Sequence, residues 1–213
     1  MPAPRIKICG VNSAQGLDAV IAARAEYCGF VFFAKSPRNL TLAEAQRLGA
    51  RAAGHVTRVG LFVDADDATI ADAVAAGALD AVQLHGEEAP ERVAQVKAQT
   101  GLPVWKAVPI ASASDVERAA RYAGAADLVL FDAKTPKGTL PGGMGLSFDW
   151  SLLGAWKAPL PWGLAGGLTP ENVAEAVRQT GAPMVDCSSG VESAPGVKDV
   201  DRIAAFARAA RLG

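Results

Sequence analysis

The chain has few of the residues that form disulfides or bind metal ions. Its 213 residues include three cysteines, Cys9, Cys28 and Cys187, which are far apart and form no CxxC pair. The two histidines, His55 and His85, are also widely separated and match no metal-ligand spacing. Scattered cysteines in odd number argue against a disulfide framework, and a structural zinc site needs more clustered ligands. We therefore expect free thiols and no bound metal.

The sequence also lacks an excess of either charge and any long apolar run. Its formal net charge is -1, with 20% charged and 50% hydrophobic residues, a balance typical of soluble globular proteins. Near-neutral charge gives no electrostatic reason to expect nucleic acid or an anionic membrane as a partner. No apolar run approaches the ~18 residues that cross a bilayer, and the first residues do not resemble a signal peptide. We expect a cytoplasmic protein.

Short apolar runs rich in β-forming residues alternate along the chain with alanine-rich segments of helical spacing. Alternating strands and helices favour parallel strands with right-handed crossovers. Eight such units in just over 200 residues predict a single-domain (β/α)8 TIM barrel over residues 1–213, with a doubly wound open sheet as the alternative. The eight runs lie at 5–9, 27–33, 57–63, 81–84, 104–108, 127–132, 162–165 and 184–187.

Helix starts are predicted from capping residues. Asn12 is expected to begin a helix that runs to about Ala25, and Thr41 one that runs to about Ala53. Asp66 and Asp199 are expected to begin two more helices. A further helix is predicted at 169–170, where Thr is followed by Pro, because proline suits the first helical position.

Alternation along the strands predicts a polar barrel interior. Successive strand side chains point to opposite faces, so one face of each strand meets the helices and the other lines the barrel. The two lysines and two aspartates expected inside can neutralise each other, since buried charges are costly unless paired. The residues expected inside are Lys7, Cys9, Gln83, Lys106, Asp132 and Asp186.

Two of these residues form a candidate acid–base pair. Cys9 and Asp132 end the first and sixth strands, and active sites of such barrels lie at the C-terminal strand ends. A thiolate can act as base and a protonated carboxyl as acid, with Lys7 favouring the thiolate and partial burial favouring the protonated carboxyl. The alternative for Cys9 is a small packing residue, the role expected for Cys28 and Cys187.

Three loops are candidates for substrate binding. Glycine-containing turns follow the seventh strand, at Gly166 and Gly167, and the eighth, at 188–190, where barrels often bind phosphate. Arg38 follows a Ser-Pro turn and can bind a carboxylate bidentately, or it is a solvated surface residue. The long Gly/Pro-rich loop at 133–147 is a candidate lid, or irregular surface.

Taken together, several segments resemble one known family. They are KICG (7–10), GFVFFAKSPR (29–38), VGLFV (59–63), QLHG (83–86), PGGMGLSFDW (141–150), LAGGLTPENV (164–173) and DCSSGVESAPGVKD (186–199). In this order they are similar to the phosphoribosylanthranilate isomerases of tryptophan biosynthesis. The resemblance implies a (β/α)8 barrel without cofactor or metal, and an Amadori rearrangement of a small phosphosugar substrate. The oligomeric expectation is a monomer or homodimer.

The resemblance also implies roles for particular residues. Cys9 is similar to the family's general base, Asp132 to its general acid and Arg38 to the ligand of the anthranilate carboxylate. The phosphate site corresponds to Gly166, Gly167, Ser188, Ser189 and Gly190, and the supporting residues are Lys7, Gln83, His85 and Asp186.

Two departures from the family pattern and two rival functions accompany this interpretation. Met144 stands where a small or polar residue is usual, and Ala133 follows the aspartate where threonine is common.

The rival functions are another phosphosugar aldose–ketose isomerase and a non-catalytic barrel that binds a phospho-ligand. The pairing of Cys9 with Asp132 argues against the binding protein, because binding alone needs neither group.

Overall fold

Eight parallel strands close into a barrel whose strand order follows the chain. The structure, a computed structural model, describes residues 2–134 and 145–213. Each strand pairs with the next, and the eighth pairs with the first, so no open sheet edge remains in the barrel. The predicted barrel is therefore confirmed, and the doubly wound sheet is wrong. The strands are β1 Arg5–Cys9, β2 Tyr27–Phe32, β3 Thr57–Phe62, β4 Ala81–Leu84, β5 Val104–Ile110, β6 Leu128–Ala133, β7 Trp162–Leu164 and β8 Met184–Cys187.

Helices cover the outside of the barrel. They are α1 Ala14–Ala22, α2 Leu42–Ala52, α3 Asp67–Gly77, α4 Pro90–Thr100, α5 Ala113–Ala119, α6 Val173–Thr180 and α7 Val200–Leu212. In the described part of the β6–β7 connection a 3-10 helix, Trp150–Ala155, takes the helix position. A small hairpin, β9 Glu192–Ala194 and β10 Val197–Lys198, follows β8. No described helix is long and apolar enough to span a membrane.

Local capping chemistry explains most helix starts. Thr41 and Glu44 exchange bonds in a capping box, and Asp66 and Asp199 cap α3 and α7 as predicted. The prediction for Asn12 is wrong, because Ser13 accepts the Gly16 N–H and begins α1.

The predicted helix start at 169–170 is also wrong, and α6 begins at Val173 with Asn172 as its N-cap. The Asn172 side chain closes the preceding turn instead. It accepts the Thr169 N–H at 2.8 Å and donates to the Gly167 carbonyl at 2.9 Å. Pro170 therefore belongs to a turn that joins the glycines after β7 to the helix.

The barrel interior is apolar at the N-terminal end and becomes polar towards the C-terminal end. A lower layer contains Trp105, whose ring meets Tyr27 edge-on with centroids 5.0 Å apart. Above it lie Cys9, Val31 and Leu61. This layering plugs one end of the barrel and leaves polar groups at the other. The remaining lower-layer residues are Val59, Ala81, Ala107, Leu128, Leu130 and Met184.

Lys106 does not lie in the barrel, so that prediction is wrong. Its neighbours Trp105 and Ala107 belong to the interior layer, while Lys106 shares the helix-facing side of β5 with Val104 and Val108. There its Nζ lies 3.2 Å from a Glu88 carboxylate oxygen. The barrel interior therefore holds one of the two predicted lysines, Lys7. Asp132 does not pair with Lys106 and contacts another side chain, described below.

Candidate active site

A cleft opens at the C-terminal ends of the strands and collects most of the predicted site residues. It encloses about 820 Å³ of empty space, counting the part open to solvent. Lys7 and Gln83 do not line it and lie beneath its floor, each at most 1% exposed. The predicted residues that line the cleft are Cys9, Arg38, His85, Asp132, Gly166, Gly167, Asp186, Ser188, Ser189 and Gly190.

A glycine on the neighbouring strand makes room for Cys9. Cys9 pairs with Gly29 across β1 and β2. A Cβ added at Gly29 would lie 2.8 Å from the Cys9 Sγ and 2.9 Å from its Cα, closer than such atoms pack. The sulfur therefore sits against bare backbone on one side and faces the cleft on the other. The sequence CGF at 28–30 thus serves the site, although its own cysteine, Cys28, faces the helices.

A buried ion pair lies beneath Cys9. The Lys7 Nζ is 2.9 Å from the Asp186 Oδ2, and the two residues are 0% and 8% exposed. Burial by itself lowers the pKa of Lys7, but Asp186 and Cys9 together outweigh it, so the pKa of Lys7 is raised. The predicted pairing of Lys7 with an interior aspartate is present.

The electrostatic balance at Cys9 differs from the expectation. Burial raises the pKa of the Cys9 thiol, and Asp186 adds to this effect, while Lys7 and Lys198 lower it. The net direction is upward, because loss of hydration outweighs the two lysines. Lys7 does favour the thiolate, as predicted, but burial raises the pKa of the Cys9 thiol by more than Lys7 lowers it.

The Asp132 carboxyl is in hydrogen-bond contact with a histidine. Its Oδ2 lies 3.0 Å from the His85 Nε2, and its Oδ1 accepts the Ala133 N–H at 2.8 Å. The His85 Nδ1 is 3.2 Å from the carboxamide of Gln83, which is 1% exposed. The segment QLH at 83–85, where β4 ends, thus places two polar side chains on the interior side, one below the other, in line with the carboxyl of Asp132.

The turn after β7 packs directly against Asp132. Gly166 has φ +83°, which favours glycine, and a Cβ there would lie 2.8 Å from the Asp132 Oδ1. Any larger residue would displace the carboxyl or the backbone of Ala133. Gly166 is therefore required by the approach of this turn to β6.

Arg38 is held by a carboxylate from the β9–β10 hairpin. Its Nε and Nη2 lie 2.7 and 2.8 Å from the two carboxylate oxygens of Glu192, and Arg38 is 8% exposed. The same carboxylate lies 2.7 Å from the Lys198 Nζ. Burial acts to raise the pKa of Glu192, but Arg38 and Lys198 outweigh it, and that pKa is lowered. Arg38 is thus a fixed member of a buried ion network.

Glu192 and Lys198 were missed by sequence reasoning. Both lie in the segment 186–199 that carries the family resemblance, but no local period assigns them a partner. A Glu six residues before a Lys, flanking a Gly turn, is a weak hairpin signal and could have suggested their pairing.

The turn after β8 is held from outside by cations. Lys198 Nζ donates to the Ser188 carbonyl at 3.0 Å, and Arg202 Nε donates to the Gly190 carbonyl at 3.0 Å. In a trans peptide the C=O and the next N–H point in opposite directions. The Ser189 N–H therefore points away from Lys198, and Ser189 lines the cleft.

The predicted lid at 133–147 falls mostly on residues 135–144, Met144 among them, and these lie outside the described residues. At its end, Gly145 and Leu146 line the cleft. Within 2–134 and 145–213, no group of three His, Cys, Asp or Glu side chains could hold a metal ion.

Comparison with known proteins identifies the family. Residues 6–209 match the sequence profile of N-(5'phosphoribosyl)anthranilate (PRA) isomerase. A relative from Rhodospirillum rubrum with this name is 55% identical over 213 residues, covering 98% of each chain. The chain belongs to the N-(5'-phosphoribosyl)anthranilate isomerase family. The resemblance read from the sequence is therefore confirmed.

Solved isomerases of this family have the same fold. The isomerase from Thermotoga maritima matches with a TM-score of 0.87 and 37% identity, covering 97% of this chain and 98% of that one. Another isomerase structure, determined with reduced 1-(o-carboxyphenylamino)-1-deoxyribulose 5-phosphate, matches with a TM-score of 0.85 and 35% identity, with 97% and 98% covered. The barrel is thus the fold of phosphoribosylanthranilate isomerases.

Proposed function

We propose that this protein converts N-(5-phosphoribosyl)anthranilate into 1-(2-carboxyphenylamino)-1-deoxyribulose 5-phosphate, the third step from chorismate in tryptophan biosynthesis. The observation that carries the proposal is the joint presence of Cys9 and Asp132 in one cleft of a barrel that belongs to the isomerase family. An Amadori rearrangement requires a general acid and a general base, and a carboxyl and a thiolate can fill these roles.

In the proposed mechanism, Asp132 acts first. It gives its proton to the ribose ring oxygen, the C1–O bond breaks, and an iminium forms between C1 and the anthranilate nitrogen. The positive nitrogen acidifies the C2 hydrogen. Asp132 is positioned for this step because it lines the cleft and the Ala133 N–H holds its Oδ1 at 2.8 Å.

Cys9 then removes the C2 proton, which gives an enolamine. Its C1 takes a proton from solvent and its C2 hydroxyl releases one to solvent, which gives the ketone. Oxidation at C2 balances reduction at C1, so the rearrangement needs no external electron donor or acceptor. Burial raises the pKa of the Cys9 thiol, and Lys7 opposes that rise. The iminium adds a second positive charge, which favours the thiolate when the base is needed.

Two anion sites are proposed to hold the substrate across this pair. Arg38 is proposed to bind the anthranilate carboxylate, with Glu192 fixing its guanidinium plane through two hydrogen bonds. The phosphate is proposed to bind at Gly166, Gly167 and the turn 188–190, where Lys198 and Arg202 hold the carbonyls on the far side. Binding at both ends orients a flexible substrate before the chemistry begins.

The test compares the turnover of Cys9→Ser and Asp132→Asn with that of the wild type. Turnover is followed as loss of anthranilate-type fluorescence from freshly made substrate, with and without a chelator. Each variant should lose at least ~100-fold in kcat, the usual scale for acid–base groups, with a modest change in product affinity and no chelator effect. Cys28→Ala and Asp18→Asn are matched controls, because Cys28 faces the helices and Asp18 pairs with Arg51 on the surface. Full activity in both test variants would refute the mechanism.

A further inference from the structure

The contact between Asp132 and His85 has a consequence for the catalytic cycle. Asp132 loses its proton to the substrate in the first step, and Cys9 gains one in the second. The two changes cancel in the overall isomerisation, but they occur on different residues. Before the next turnover the enzyme must therefore take up one proton at Asp132 and release one at Cys9.

His85 is placed to supply that proton. Its Nε2 lies 3.0 Å from the Asp132 Oδ2, the carboxylate oxygen that the Ala133 N–H does not bind. The side chain of His85 is 14% exposed and lines the cleft, so it reaches solvent water. Among the described residues it is the titratable side chain in hydrogen-bond contact with the Asp132 carboxyl.

Gln83 can pair with the His85 ring whether or not its Nδ1 carries a proton. Its carboxamide nitrogen faces the His85 Nδ1 at 3.2 Å, and its Oε1 is buried without a partner in the described part of the chain. Rotating the carboxamide by half a turn brings Oε1 to Nδ1. One orientation suits a bare Nδ1 with Nε2–H donating to the carboxylate. The other suits Nδ1–H and matches the imidazolium, or a ring that accepts the Asp132 O–H.

The backbone around His85 is fixed by charges outside the barrel. The His85 N–H donates to the Phe62 carbonyl at 2.8 Å. Lys106 donates to the Gly86 carbonyl at 2.8 Å and pairs with Glu88, whose Oε1 accepts the Asp64 N–H at 2.9 Å. This buried lysine therefore anchors the loop that follows β4, and the ring of His85 stays aligned with Asp132.

We propose that His85 returns a proton from solvent to Asp132 after each turnover, and that Gln83 positions the imidazole in both of its proton-bearing arrangements. In the transfer, the Nε2–H bond of the imidazolium breaks and an O–H bond forms on Asp132. The ring then regains a proton from water or a buffer acid. The proposal rests on the proposed function, because it assumes that Asp132 is the acid.

A comparison of first-turnover and steady-state rates tests the relay. His85→Gln places an amide N–H near the former Nε2 and keeps a hydrogen bond to Asp132, but it cannot pass on a proton. With enzyme in excess, the first turnover uses the proton already on Asp132 and should stay within about threefold of wild type. Steady-state kcat should fall at least ~10-fold, KM should change less than about twofold, and added imidazole buffer should restore kcat in proportion to its concentration.

Two further variants complete the design. Gln83→Glu keeps the shape but always accepts from Nδ1, so it should lower steady-state kcat with the same buffer rescue even if His85→Gln folds poorly. His55→Gln changes the other histidine of the chain, which is exposed in the turn after α2, and should behave as wild type. Circular dichroism of each variant should match that of the wild type, which shows that the variant is folded.

The possible outcomes distinguish failure of the proton relay from failure of the proposed function. Unchanged steady-state kcat in His85→Gln would overturn the relay. Equal loss in first-turnover and steady-state rates without buffer rescue would overturn it too, and would leave His85 as a purely structural partner of Asp132. If the wild type completes no first turnover, or Asp132→Asn is fully active, the proposed function fails and the relay fails with it.

Discussion

Gly29→Ala tests whether the space beside Cys9 is required for both stability and activity. The added Cβ would lie 2.8 Å from the Cys9 Sγ, 2.9 Å from its Cα and 3.2 Å from its Cβ. Carbon atoms in contact prefer about 3.5–4.0 Å, so β1 and β2 must separate locally by roughly 0.5–1 Å. The Cα is backbone, and a side-chain rotation cannot relieve that contact.

The size of the effect follows from two opposing contributions. Overpacking of this kind costs about 1–3 kcal/mol, while replacing glycine stabilises by about 0.4–1 kcal/mol through the unfolded chain. We expect a net loss of roughly 0.5–2 kcal/mol in the free energy of unfolding. Activity should fall further, about 10- to 100-fold in kcat, because a misplacement of about 1 Å can cost about 100-fold.

Urea unfolding followed by tryptophan fluorescence, together with the turnover assay, measures both effects. Gly154→Ala is the matched control, since nothing lies within 4 Å of its added Cβ, and it should change stability by less than about 0.5 kcal/mol. Combining Gly29→Ala with Cys9→Ala removes the sulfur contact. The stability loss of the double variant should therefore be about 0.5–1 kcal/mol smaller than the sum of the losses of the two single variants. Wild-type stability and activity in Gly29→Ala would refute the packing argument.

Two further predictions concern buried charges. Lys7→Met leaves the Asp186 carboxylate buried without its partner and should lower the free energy of unfolding in urea by about 3–5 kcal/mol. The double variant Lys7→Met with Asp186→Leu should recover most of that stability. A double variant whose loss equals the sum of the two single losses would contradict this. The pKa of Glu192 is lowered, so its ion pairs stabilise the fold fully above its ordinary pKa of 4.5 and lose that contribution as the pH falls through the lowered value. The stability difference between wild type and Glu192→Gln should therefore be largest near neutral pH and shrink below pH 4.5, and a constant difference would contradict the assignment.

The agreement between sequence and structure is best where the determining interactions are local. The capping box of Thr41 and Glu44 spans four residues and is visible in the sequence. The alternation of β1 likewise separates Ile6 and Ile8, which meet the helices, from Lys7 and Cys9. On β5 the same reasoning failed at Lys106, because both faces of that strand are largely apolar and a period of two does not tell which face lies inside.

By itself, the sequence determined the eight strand–helix units, the closed barrel they build and the strand ends that carry Cys9 and Asp132. These features depend on short-range periodicity and on a topology with few alternatives. Only the tertiary structure decided that Arg38 is held by Glu192, 154 residues away, and that His85 bonds Asp132. It also decided that burial raises the pKa of the Cys9 thiol despite the nearby Lys7. Such partnerships depend on register, burial and the meeting of distant loops, and no local pattern encodes them.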